Sequence, residues 1–139
     1  MQETDNHYKV ITQIDSNKFI AICKHGTVHL VWGIVKLGFR MQDFPHMVHF
    51  INQNMAVAIG QETASGPLRL RHEGENSYIL RILYVELHLT APELLMLIEL
   101  VNTALSHLEL DFDALFEKDP DPLQMPVMRY VELSTISLN

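Results

Sequence analysis

The sequence predicts an α+β fold: a tandem, pseudo-twofold repeat of a β-hairpin, a strand and a helix, in which an antiparallel sheet carries the helices on one face. Three observations lead there. First, the chain matches itself when slid fifty positions along. Val35, Leu37 and Phe39 alternate with Lys36, Gly38 and Arg40, and Val85, Leu87 and Leu89 alternate with Glu86, His88 and Thr90. Both segments have the period of a half-buried strand. Second, the period then changes to 3.6 in both copies: Phe44, Met47, Val48 and Ile51 stand where Leu94, Leu97, Ile98 and Val101 stand fifty residues later. Asp43 matches Glu93 in the first helical turn, and Asn52 matches Asn102 on the polar side. Third, Thr90-Ala91-Pro92-Glu93 has the form of a capping box, with proline in the first turn.

The elements follow in order. Tyr8 to Ile14 alternates and predicts an N-terminal strand turned back at Asp15-Ser16-Asn17. Phe19 to Cys23 and Thr27 to Trp32 form a hairpin joined through His25-Gly26. Gly33 either turns the chain toward Val35 or marks a bulge in one continuous strand, because Leu83 holds its place in the second copy. The first helix begins near Gln42 and ends before Gly60. Thr63 to Pro67 reads as the connector, and Leu68 to Arg71 with Tyr78 to Ile82 as a second hairpin through Glu73-Gly74. The second helix spans about 91 to 108. Asp111 to Lys118 then predicts a short helix, Asp119 to Pro122 a stiff link, and Val127 to Leu133 a closing edge strand. The organisation is a single domain, 1–139, with repeat units of about 18–60 and 68–108 and a C-terminal extension, 109–139.

Composition narrows the function classes. With 47% hydrophobic and 19% charged residues, the 139-residue chain is neither disordered nor a coiled coil, and one domain of this size closes its own core. A single cysteine excludes an intrachain disulfide. The opening residues, Met-Gln-Glu-Thr-Asp-Asn-His, lack the basic and then apolar layout of a signal peptide, so a cytoplasmic location without membrane contact is expected. Ten basic against 17 acidic residues give a net charge of -7, the wrong sign for binding phosphate backbones, and no nucleic-acid partner is expected. Charge is uneven: Lys18, Lys24, Lys36 and Arg40 make residues 16–42 basic, whereas 109–121 hold six acids and one lysine. Such regions face solvent or each other, or form a polar interaction surface.

Cys23-Lys24-His25-Gly26-Thr27-Val28-His29 is the segment that most resembles a chemical site, since thiolate and imidazole suit zinc. Register decides what it can do. A two-residue turn at His25-Gly26 puts Cys23 opposite Val28, on an apolar face with Phe19, Ala21, Leu30 and Trp32, and points His29 away. A three-residue turn through Thr27 sets Cys23 opposite His29 and makes a ligand pair. The shorter turn is the expectation, with Cys23, His25 and His29 as the alternative zinc site. His46 and His49 lie off the apolar stripe of the first helix and are expected to be exposed. No phosphate loop, nucleophile elbow, His-Glu-x-x-His motif or calcium loop occurs, and no catalytic residue is assigned.

The second helix is apolar on more than one side, and Leu95, Met96 and Leu100 are expected to need cover from a second chain, which predicts a homodimer. The run Cys23 to Gly33, with the strand and helix that follow through Ile51, resembles small uncharacterised bacterial domains that pair a Cys-x-x-Gly hairpin with a strand and an apolar helix. That resemblance implies no activity. The function expected is a non-enzymatic protein-interaction or self-associating domain. Its alternative is a small-molecule- or metal-binding enzyme using the cleft between the copies.

Overall fold

The computed structural model describes residues 8–110 and 130–133. The elements are β1 (Tyr8–Asp15), β2 (Lys18–Cys23), β3 (Thr27–Trp32), β4 (Val35–Arg40), α1 (Phe44–Asn54), β5 (Glu62–Ser65), β6 (Leu68–Gly74), β7 (Ser77–Ile82), β8 (Val85–Thr90), α2 (Ala91–Leu110) and β9 (Tyr130–Leu133). The expected α+β class and internal repeat are present. The two copies, however, build two antiparallel sheets rather than one, in the orders β9-β4-β3-β2-β1 and β5-β6-β7-β8. The chain forms two compact units: one holds the residues up to Pro45 and α2 from Leu100 onward, with β9, and the other holds His46 to Glu99.

The fifty-residue spacing extends to individual hydrogen bonds. Lys18 pairs with Trp32 as Leu68 pairs with Ile82, and Trp32 with Val35 as Ile82 with Val85. The Gly33 N–H donates to the Asn17 carbonyl at 2.8 Å, and the Leu83 N–H donates to the Pro67 carbonyl at 2.9 Å. Gly33 and Leu83 both have positive φ, +69° and +58°, so a two-residue turn rather than a bulged strand joins the last two strands of each copy. Leucine at this φ costs roughly 1–2 kcal/mol that glycine does not. The pairing on both sides of the turn holds it there.

In the first sheet, the inward face is made by Ile20, Ile22, Val28, Leu30, Trp32, Leu37 and Phe39, and in the second by Leu68, Leu70, Leu80, Ile82, Val85, Leu87 and Leu89; all are buried. Burial of each such side chain contributes about 1.5–3 kcal/mol. The helical stripes are buried as the spacing predicts at Phe44, Met47, Val48 and Ile51, and at Leu94, Leu97 and Val101. Ile98 departs from its counterpart Val48: it is half-buried.

Several boundaries differ from expectation. α1 starts at Phe44, so Asp43 precedes the first turn, and it stops at Asn54, whose side-chain amide donates to the Phe50 carbonyl at 2.8 Å. Gly60, with φ +84°, instead lies in a later turn in which the Gln61 N–H donates to the Ala58 carbonyl. The expected connector contains β5, because Thr63, Ala64 and Ser65 pair with Leu70, Arg69 and Leu68, and only Gly66-Pro67 turns the chain. The second hairpin, expected to turn through Glu73-Gly74 and its neighbours, turns at Glu75-Asn76, with a register shift between His72 and Gly74 that keeps Gly74 within the strand. The closing strand is present as Tyr130–Leu133 and pairs with β4. The expected short helix at 111–118 and the proline link at 119–122 lie outside the described residues.

The capping box forms as the sequence predicts. The Thr90 N–H donates to Glu93 Oε1 at 2.9 Å, and the Glu93 N–H donates to Thr90 Oγ1 at 3.2 Å. Asn76 Oδ1 accepts from the Ala91 N–H at 3.2 Å, satisfying a further helix-end donor from the β6–β7 turn. Thr90→Ala is therefore expected to lower stability by about 1 kcal/mol, read as a lower urea midpoint at unchanged slope. An unchanged midpoint would show that the cap carries no energy.

Candidate interaction surfaces

The β2–β3 hairpin settles the register in a way the sequence expectation did not anticipate. Ile22 pairs with Val28 and Ala21 with His29, across a loop of Lys24, His25 and Gly26. The Gly26 N–H donates to the Cys23 carbonyl at 2.9 Å, and Gly26 has φ +85°. A type I turn closed by a left-handed glycine has this three-residue form. It moves the pairing one residue from the expected two-residue turn and reverses the faces. Cys23 therefore lies with Phe19, Ala21 and His29, not with Leu30 and Trp32, and it is half-buried. His29, expected to be exposed, is 5% exposed. His25 sits exposed in the loop. Cys23 is set diagonally from His29 rather than opposite it, and among the described residues no group of three or more His, Cys, Asp and Glu side chains could hold a metal ion. His46 and His49 are exposed on α1, as their spacing predicts.

The outward face of the first sheet is thus a covered polar face. Thr27, His29, Arg40 and Asp43 are the buried polar and charged residues among those described, and all belong to this unit. Thr27 pairs with Arg40, and His29 stands between Ala21 and Gly38, the two smallest residues on that face. The Tyr8 ring meets the His29 ring edge-on at 4.9 Å. Arg40 Nε and Asp43 Oδ2 form an ion pair at 3.5 Å with both side chains under 10% exposed. The turn that links β4 to α1 makes the pair: the Asp43 N–H donates to the Arg40 carbonyl at 2.9 Å. Lys18, beside Asp15 at 4.0 Å, also lies 5.4 Å from the Trp32 ring centroid.

The equivalent face of the second sheet is exposed. Arg69, Arg71, Arg81, Glu86 and His88 project from it. Arg69 pairs with Glu62 at 3.0 Å, Arg71 with Glu73 at 2.9 Å and His88 with Glu86 at 3.4 Å. At this exposure such pairs contribute between zero and about 1 kcal/mol each. A site not anticipated from the sequence lies at His72. Its ring stacks on Tyr78 at 4.1 Å and 12°, and its Nδ1–H donates to the Val57 carbonyl at 2.8 Å. The ring's other nitrogen, Nε2, is buried and meets no hydrogen-bond partner among the described residues. The only sequence signal was a histidine and a tyrosine flanking a turn, and the register shift beside His72 obscures their pairing.

Exposed apolar side chains gather at sheet edges and turns: Tyr8, Val10 and Ile14 on β1, Ile34 and Tyr84 at equivalent turn positions, Ile59, and Leu95 on α2. Leu100, expected to need a second chain to cover it, is buried, and Met96 is half-buried, so Leu95 alone of that trio is exposed. No protein-family model matches the chain, and neither a curated protein nor a solved structure matches it.

Proposed function

We propose that this chain is a non-enzymatic interaction domain that associates with a second copy of itself. The observation that carries the reading is the placement of exposed apolar side chains along strands and turns at the sheet margins, with Tyr84 87% exposed and Tyr8 55%. Exposed tyrosines beside strand edges that have no neighbour among the described residues supply contact area with little loss of side-chain freedom, and edges supply directional hydrogen bonds. Catalysis would call for convergent titratable groups, and the described histidines are instead dispersed: His25, His46, His49, His88 and His107 on the surface, His29 buried, and His72 occupied by Tyr78 and Val57. Among the described residues no helix is long and apolar enough to cross a membrane. Light scattering on the full chain at low micromolar concentration tests the reading. A mass near twice 16.0 kDa is expected. A mass of 16.0 kDa that is unchanged up to high micromolar concentration would overturn self-association.

A further inference from the structure

We infer that β8 is the self-association edge, and that two copies join by pairing β8 with β8 antiparallel about a twofold axis at Leu87. The inference rests on the self-association reading and specifies its surface. The repeat itself supplies the first argument. β4 and β8 occupy equivalent places, yet β4 has a neighbour on each side, β3 and β9, whereas β8 pairs only with β7 and ends its sheet among the described residues. On β4, Lys36 faces Glu132 and Gly38 faces Tyr130. Fifty residues later the same positions are Glu86 and His88, which face Arg81 and Ile79 of β7 and have no strand on their other side among the described residues.

Backbone geometry then limits the register. The two-residue turn at Leu83-Tyr84 makes Ile82 and Val85 the hydrogen-bonded pair that closes the hairpin. Alternation turns the N–H and C=O groups of Val85, Leu87 and Leu89 toward β7 and leaves those of Glu86 and His88 facing outward. An antiparallel copy can therefore meet β8 with Glu86 opposite Glu86, with His88 opposite His88, or with Glu86 opposite His88. The first two set like groups face to face, which is unfavourable. The third sets a carboxylate against an imidazole N–H on both sides of the axis, with two hydrogen-bonded residue pairs and Leu87 opposite Leu87. Glu86 and His88 already lie on one face of the strand, 3.4 Å apart, and both are exposed, so the partner's groups would complete a four-membered cluster. Tyr84 then falls opposite Thr90 of the other copy, which gives the ring a surface to cover.

Of the other outer strands, β5 and β9 run only four residues each, and β1 is less suited despite its exposed Tyr8, Val10 and Ile14. Its pairing with β2 is interrupted by register shifts between Val10 and Thr12 and between Gln13 and Asp15. Such bulges twist an edge away from addition. β8 runs six residues without one.

The test is the mass of the full chain against concentration for three variants. His88→Pro removes only an outward N–H, a position at which an edge strand accepts proline. It should fold with the parent circular-dichroism spectrum and weaken the dimer at least about tenfold, because each side of the axis loses one backbone bond and the imidazole that faces Glu86. Glu86→Lys should weaken it as well, and Glu86→Lys with His88→Glu should restore it by reversing the polarity of the same pairing. A parent dimer that His88→Pro and Glu86→Lys leave intact would overturn the β8 edge while self-association stands. A parent that is monomeric throughout would overturn both.

Discussion

Phe39→Ala is expected to destabilise the chain by about 3–5 kcal/mol. Phe39 is 1% exposed near the end of β4, and its ring meets Phe44 edge-on at 5.9 Å. The substitution therefore removes transfer energy, leaves a cavity between a strand and the start of α1, and breaks an aromatic pair worth about 0.5–1.5 kcal/mol. Leu89, its counterpart fifty residues on, is 3% exposed, and Leu89→Ala should cost about 2–5 kcal/mol without the aromatic contribution. Urea unfolding checks both. A loss below about 1 kcal/mol for Phe39→Ala would mean that its ring is not packed as described.

Asp43→Ala is expected to cost about 3–5 kcal/mol, because it leaves the Arg40 guanidinium buried beside one counter-charge fewer. The comparison with Glu73→Ala decides whether burial or distance governs. Arg71 and Glu73 approach to 2.9 Å, closer than the 3.5 Å of Arg40 and Asp43, yet their side chains are 53% and 37% exposed against 8% and 9%. Solvent screens the exposed pair, so Glu73→Ala should change stability by less than about 1 kcal/mol. If Glu73→Ala proves the more damaging, separation rather than desolvation sets the energy. Removing both partners, with Arg40→Met and Asp43→Leu together, should recover most of the loss, since the cost lies in a buried charge losing a counter-charge.

The features legible in the sequence were those written in local periodicity. The alternation of Val35 to Arg40 and of Val85 to Thr90, the helical stripes from Phe44 and from Leu94, and the Thr90–Glu93 box each depend on residues a few positions apart. Register is different. In the first hairpin the face of every side chain depended on whether two or three residues turn the chain at His25-Gly26, and glycine suits either loop. One residue of error moved Cys23 away from Trp32 and placed His29, with Thr27 and Arg40, on a covered face. The strand at Glu62–Ser65 was hidden for a related reason: Ser65-Gly66-Pro67 has turn composition, and only pairing with Leu68 to Arg71 makes its first residue a strand end. Division into two sheets depends on contacts far apart in sequence and left no local signature. The exposure of Leu95 beside buried Leu100 likewise depends on what lies over each turn of α2, which a helical stripe does not specify.

Apart from the first turn of each, where a three-residue loop stands against a bulge and a two-residue turn, matched register makes residues 18–40 and 68–90 equivalent cassettes in backbone terms, down to the Gly33 and Leu83 turn. Their outward faces make grafting a one-way operation. Inserting 68–90 at the first site would set Arg71 at the place of Ala21, which is 2% exposed, and His88 at the place of buried Gly38. Restricted to positions 71, 77 and 88, the reverse exchange puts alanine, threonine and glycine where arginine, serine and histidine meet water, which solvent tolerates, whereas Lys18 at the place of buried Leu68 or Arg40 at that of the Thr90 cap would be costly. The second copy is thus the permissive half of the molecule, the place where surface chemistry can be rewritten without disturbing the scaffold that presents it.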